Sequence, residues 1–152
     1  MPTATLLIGI SGSGKSTYAA QMVKDNPNTA HLERDKIRAF LQCLPVVNHV
    51  LWENDDKPSM EELVLVPDIM YEQFCQAYRQ NKDIVVADTH LYPKHVARLV
   101  EDLTELGFQV RKIVISVTLE EALRRNESRT EGKVPVEVIE KQYAQFTKAY
   151  RQ

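Results

Sequence analysis

Cysteine is scarce in this sequence, and no stretch of it is long and apolar. The two thiols, Cys43 and Cys75, lack the spacing of a metal knuckle or a redox pair, so they read as reduced, half-buried side chains without a role. No run approaches the roughly 20 apolar residues of a membrane helix, and MPTATLLIGI passes directly into a glycine-rich loop with no charged leader or cleavage site. Membrane insertion and secretion are both disfavoured, and a cytoplasmic setting is expected. Neither charge dominates: 19 Lys and Arg face 21 Asp and Glu, and the net charge of −2 excludes a globally basic nucleic-acid coat. Internal repeats and low-complexity segments are absent too.

What is present suits one folded domain. A chain of 152 residues with 43% apolar and 26% charged side chains can bury one core and has little room for a second. Any polyanion must be held locally. Residues 1–110 carry 10 basic and 15 acidic groups, whereas 111–152 carry 9 and 6, which points to the C-terminal third as the phosphate-facing part.

Short apolar runs at Thr5 to Ile10, Asp83 to Ala87 and Val110 to Val117, with a weaker one at Ala30 to Glu33, have the character of strands buried on both faces of a parallel sheet. Between them lie helical patterns at Lys15 to Val23, Asp35 to Leu41, Asp68 to Tyr78, Pro93 to Leu106, Leu119 to Ser128 and Val136 to Tyr150. The alternation predicts a three-layer α/β domain around a central parallel sheet of about four to five strands. In the last helix Val136, Ile139, Tyr143, Phe146 and Tyr150 form one apolar stripe, read as core packing. Gln42 to Met60 is expected to be irregular.

The most specific feature is GISGSGKST. Gly9, Gly14, Lys15 and Ser16 meet the pattern G-x-x-x-x-G-K-[ST] directly after a predicted strand and at the start of a predicted helix. Glycines let consecutive amides of Gly12, Ser13, Gly14, Lys15, Ser16 and Thr17 face an anion, and the helix N-terminus adds partial positive charge. Lys15 can reach the β and γ phosphates, and the Ser16 hydroxyl can take magnesium. ATP binding with Mg2+ follows, and phosphoryl transfer is the default chemistry.

Three further elements decide what receives the phosphate. In HLERDKIRAF, Asp35 and Arg38 share one helical face: a carboxylate there can accept an acceptor hydroxyl's proton, and an arginine one turn on can hold an acceptor phosphate. The alternative is that Asp35 only caps its helix and Arg38 is a solvated charge. The third strand ends in Asp88 and Thr89, where a carboxylate can orient magnesium, pair with Arg38 or serve as a structural turn acceptor. In LRRNESRTEGKVP, Arg125 and Arg129 lie four apart on one predicted helical face before a Thr-Glu-Gly-Lys loop, with Pro135 opening the last helix. That reads either as a lid of about residues 124–135 closing over the transferring phosphate or as a solvated basic helix.

With GSGKST, RDKIR, ADTHLYP, RRNESR and KVPVEVI in this order over nearly the full length, the chain resembles the kinase domain of the phage-type polynucleotide 5'-hydroxyl kinases. The resemblance implies a P-loop kinase fold with an arginine-bearing lid. It implies that Lys15 and Ser16 bind ATP and magnesium, that Asp35 is the general base, and that Arg38 grips the acceptor's 3' phosphate. Arg125 and Arg129 become lid arginines, Arg129 matching the essential one, and Asp88 a supporting acid beside Thr89. The chain departs from the family between Asn48 and Glu72, where seven acids face Lys57 alone and the family is more basic. Trp52 in that segment is a base-stacking platform or a packing plug. The 3'-phosphatase domain often fused to such kinases is not present in residues 1–152.

The reading is a single kinase domain, 1–152, that transfers the γ-phosphate of ATP to a hydroxyl of nucleic acid, foremost a 5' end of DNA or RNA. It works in the cytoplasm, a host's if phage-encoded, with homo-oligomerisation left open. A P-loop kinase for another hydroxyl, on a modified base, a nucleotide or a small molecule, is the main alternative. An ATPase switch without an acceptor is the remaining one.

Overall fold

The chain runs β1 (Thr3–Ile8), α1 (Lys15–Asp25), β2 (Thr29–Leu32), α2 (Arg34–Gln42), β3 (Trp52–Asn54), β4 (Lys57–Pro58), a π-helical turn (Glu61–Leu65), α3 (Val66–Arg79), β5 (Asp83–Val86), α4 (Pro93–Leu106), β6 (Gln109–Val114), α5 (Leu119–Glu127) and α6 (Val136–Tyr150). The computed structural model describes residues 1–42, 52–54, 57–130 and 132–150. Cys43 lies outside them, as does the side chain of Trp52, while Cys75 is a free, half-buried thiol.

Four strands form one sheet in the order β2-β5-β1-β6, every pair parallel. The expected three layers follow from which faces are apolar. β1 is central, and from Ala4 onward every residue is buried, which is why TATLLI shows no polar alternation. On one side Ala4, Leu6, Ile84 and Val86 meet α2, α3 and α4 through Ile37, Val66, Met70, Phe74, Val96 and Leu103. On the other side Leu7 and Val85 meet Ala19 of α1. At the carboxyl end of β1, Ile8 joins Ala122 of α5 with Ile139 and Phe146 of α6 in a further cluster. Burying a leucine such as Leu6 or Leu103 completely contributes about 1.5–3 kcal/mol each.

Two expectations change. The segment Gln42 to Met60 is not wholly irregular: β3 and β4 pair antiparallel, Trp52 with Pro58 and Asn54 with Lys57. Strands this short carry too little alternation to be read from sequence. In the α6 stripe Ile139 and Phe146 are buried and Tyr143 and Tyr150 pack at the margin, but Val136 is 47% exposed because it opens the helix beyond the core. Among the described residues no helix is long and apolar enough to cross a membrane.

The register sets up the site. Leu6 of β1 and Leu32 of β2 both pair with Val86 of β5, so β2 and β5 end level and β1 runs two residues further, and Gly9, Glu33 and Asp88 emerge at the same carboxyl edge. That edge is where ligands bind in open α/β sheets.

Candidate active site

The loop from Gly9 to Gly14 turns from β1 into α1. A Cβ at Gly9 would lie 2.7 Å from the Ser13 hydroxyl oxygen and 2.8 Å from the Ile115 carbonyl oxygen, so only glycine fits. Gly14 stands at the α1 N-cap with φ of 100°, a left-handed conformation that strains any other residue. Between them the Lys15 ammonium folds back and donates to the Ile10 carbonyl at 2.8 Å. Burial pushes the Lys15 pKa down to about 8, although Asp88 and Glu33 oppose the shift by their charge. A buried, under-compensated ammonium beside turning amides is chemically suited to hold an anion.

Ser16 lies in the first turn of α1, and its hydroxyl reaches Glu33 Oε2 only at 3.5 Å. Glu33 is itself 2.6 Å from His31 Nε2. Burial raises the Glu33 pKa, but the hydrogen bond and charge of His31 outweigh that and hold it below the ordinary value.

Asp88 terminates β5 and caps α2 from outside: its Oδ1 accepts the Arg34 backbone N–H at 2.9 Å. The structural-acceptor reading of Asp88 therefore describes its present contacts, and its partner is Arg34, not Arg38. Because the cap comes from Asp88, Asp35 is released from that task. The Asp35 carboxylate instead accepts from Arg38 Nη1 at 2.8 Å across one turn. Arg38 is no solvated charge. Its side chain is 12% exposed, and its Nε and Nη2 donate to the two oxygens of Glu62 at 3.0 and 2.6 Å. Burial raises the Asp35 pKa to about 6 in spite of Arg38, with Asp88 and Glu33 adding to the rise.

The lid departs from the expected helix in one respect. α5 ends at Glu127, so Arg129 lies beyond its Ser128 cap and not one turn after Arg125 on the same helix. The cause is Asn126, buried at the end of α5, whose side-chain amide donates to the Val134 carbonyl at 2.7 Å and accepts from the Val134 N–H at 2.8 Å. That clasp draws the chain into a loop. Arg125 Nη1 donates to the Gly12 carbonyl at 3.0 Å, and Arg129 Nη1 to the Gly132 carbonyl at 3.2 Å. Pro135 precedes α6, and its carbonyl accepts the Val138 N–H at 3.0 Å.

Gly12, Ser13, Gly14, Lys15, Ser16, Thr17, Asp35, Arg38, Asp88, Thr89, Arg125 and Arg129 all line one cleft of about 1160 Å³. Glu33, Glu62, His90 and Gln142 line it too, and none stood out in the sequence. Gln142 Oε1 accepts the Ser11 N–H at 2.9 Å, tying α6 to the phosphate loop. His90 has φ of 53°, its Nδ1 lies 2.6 Å from the Leu7 carbonyl, and its own carbonyl accepts the Tyr150 hydroxyl at 2.6 Å. A carbonyl only accepts, so Nδ1 carries the proton. Burial lowers the His90 pKa, with Asp88 opposing, so the ring is neutral and Nε2 is a buried acceptor. Only the unusual His after Asp-Thr could have flagged it.

A family described as the AAA domain matches residues 5–152. The chain belongs to that family. This P-loop domain is 32% identical over 147 residues to a protein of the Autographa californica nuclear polyhedrosis virus named, by inference, a bifunctional polynucleotide kinase/RNA ligase. The match takes in 94% of this chain and 20% of the viral protein. A chain in the structure of the Pnkp1/Rnl/Hen1 RNA repair complex has the same fold, with a TM-score of 0.78 and 22% identity over 97% of this chain and 45% of its own. A gluconokinase from Sinorhizobium meliloti 1021 shares the fold more loosely, with a TM-score of 0.60 and 16% identity over 95% of this chain and 74% of its own. The AAA domain described here thus spans a fifth of its viral relative and under half of the RNA-repair chain. It is a kinase-like P-loop domain that resembles polynucleotide kinases.

Proposed function

We propose that this domain is a 5'-hydroxyl kinase for nucleic acid, working in the cytoplasm as one kinase domain over residues 1–152 with a lid at about 124–135. The observation that carries the reading is Asp35, a carboxylate with pKa raised to about 6, in the same cleft as the phosphate loop and one turn from an arginine. The acceptor hydroxyl gives its proton to Asp35, its oxygen bonds to the γ-phosphorus of ATP, and the bond from that phosphorus to the β-phosphate oxygen breaks. Lys15, Arg125 and Arg129 balance the charge that moves onto the phosphate oxygens. Arg38 and Thr89 hold the acceptor end.

Ser16 and Asp88 are hard oxygen donors that suit magnesium, and the Ser16 hydroxyl is held loosely enough, at 3.5 Å from Glu33, to turn toward an ion. Among the described residues no cluster of three or more His, Cys, Asp or Glu could hold a metal ion. Held by Ser16 and Asp88, magnesium would supply neutralising charge.

The names of the viral relative and of the RNA repair complex support RNA ends as acceptors. A second reading, a kinase for a small-molecule alcohol that carries no phosphate, is favoured by the Glu62 carboxylate on Arg38. Transfer of labelled γ-phosphate to a panel of 5'-hydroxyl RNA and DNA oligonucleotides, nucleosides, nucleoside 3'-monophosphates and gluconate separates them. Transfer to oligonucleotides and 3'-monophosphates is expected, and transfer to gluconate alone would overturn the nucleic-acid reading.

A further inference from the structure

Arg38 has two usable edges, and both are occupied. Nη1 faces Asp35 at 2.8 Å, while Nε and Nη2 form a two-pronged contact with Glu62 at 3.0 and 2.6 Å. The second edge is the one a guanidinium presents to a carboxylate or a phosphate alike. We propose that Glu62 is the acceptor gate of this site: its carboxylate holds the fork of Arg38 until a phosphate next to the reacting hydroxyl displaces it. The proposal rests on the reading of Arg38 as the residue that holds the acceptor's phosphate.

Three features support exchange over a permanent strut. Arg38 and Glu62 are 12% and 11% exposed, so an acceptor that removed Glu62 without bringing its own anion would strand a buried guanidinium. Phosphate restores the charge that Glu62 takes away, and a plain hydroxyl does not. The second feature is the backbone: Glu62 lies in the π-helical turn Glu61–Leu65, a rare geometry concentrated at functional sites.

The third is where the apolar side chains of that turn lie. Leu63, Val64 and Leu65 are 56%, 46% and 40% exposed, and burial begins only at Val66 in α3. At its start the Glu62 and Leu63 N–H groups donate to the hydroxyl and carbonyl of Ser59, at 3.3 and 3.1 Å. The side chains of Leu63, Val64 and Leu65 can therefore shift without uncovering the core. The Asp35 edge cannot serve instead, because vacating it would remove the partner of the proposed base.

The exchange makes the acceptor's phosphate a key. It also gives the acid-rich stretch around residues 61 and 62, unexpected in a nucleic-acid enzyme, a selective purpose.

The test is titration calorimetry without ATP, with adenosine 3'-monophosphate and adenosine as probes, on wild type, Glu62→Gln, Glu62→Asp and the exposed control Glu72→Gln. Glu62→Gln is expected to bind the 3'-monophosphate at least tenfold more tightly and adenosine within twofold of wild type. Glu62→Asp should move the same way by less, and Glu72→Gln not at all. Equal or weaker binding of the 3'-monophosphate by folded Glu62→Gln overturns the gate. Hydrogen exchange of residues 59–65 in wild type gives an answer that needs no variant: adding the 3'-monophosphate should speed it severalfold, and unchanged exchange at saturation overturns the gate as well. The two readings fail differently. A wild type that already prefers the 3'-monophosphate, with no gain in Glu62→Gln, removes the gate and leaves the kinase reading standing; no preference in either protein removes the role of Arg38 itself.

Discussion

The Asp35 carboxylate lies 2.8 Å from Nη1 of Arg38, three residues on in α2, and yet its pKa stands near 6. Ordinarily such a partner holds an aspartate down. Here burial outweighs it, because the Arg38 charge is already shared with Glu62 and further carboxylates at 88 and 33 face the same pocket. The pair therefore makes a stronger base than an exposed aspartate while keeping it aimed.

As a base, Asp35 works only when deprotonated. Turnover at saturating substrate is expected to fall about tenfold per pH unit below about pH 6, from a plateau above it. Asp35→Asn should lose about 10² or more of turnover and the pH 6 limb with it, while ATP affinity stays within a few-fold. A pH–rate series on both proteins checks this, and an unchanged limb in the variant assigns it to another group.

The same pKa fixes the sign of a stability effect. The folded value, about 6, lies above the ordinary 3.8, so the folded state binds the proton more tightly and wild type loses stability as pH rises from about 4 to about 6. Asparagine cannot ionise. Asp35→Asn should therefore gain about 1–3 kcal/mol on wild type between pH 4 and pH 7, measured by urea unfolding at the two pH values. A difference independent of pH would mean that Asp35 is not desolvated.

Arg129 and Arg111 separate the lid from general positive charge. Arg129 lines the cleft, whereas Arg111 Nε donates to Thr5 Oγ1 at 2.8 Å and does not line it. Arg129→Ala should lower turnover by about 10² to 10³, and Arg111→Ala by less than about threefold. Lysine at 129 should recover only part, since an ammonium cannot fork onto two phosphate oxygens. Equal small losses at both positions in steady-state assays would leave the lid without a chemical role.

Asn126 is predicted to matter for shape. Asn126→Ala leaves the Val134 N–H and carbonyl without their buried partner, a loss of about 2–3 kcal/mol. Melting temperature should drop by several degrees, and hydrogen exchange across 127–134 should quicken. An exchange pattern identical to wild type would show that other contacts hold the loop.

The phosphate loop was legible because its pattern is local: the turn from Gly9 to Gly14 lies within six consecutive residues, and Gly9 and Gly14 are where a Cβ or an ordinary φ fails. β1 and β5 were legible because both faces of the sheet are covered there, which writes TLLI and DIVV as apolar runs. β6 was read in the same way, but it is an edge strand and stays largely exposed, so its apolar run does not mark burial on both faces. Helix ends were less so. Arg129 read as a helical neighbour of Arg125, because the side chain that ends α5 bonds to Val134, eight residues ahead, and periodicity carries no record of that bond.

The roles of the carboxylates lay outside the reach of the sequence altogether. Whether Asp35 caps its helix was open until Asp88, 54 residues away from the Arg34 amide it caps, was brought there by the pairing of β2 with β5. Glu62 was one acid among seven until the turn before α3 set it on Arg38, 24 residues back in the chain. A local pattern records which chemistry a segment can perform. Which carboxylate caps, which is paired and which is left desolvated depends on strand register and burial, and those exist only once distant segments share a core.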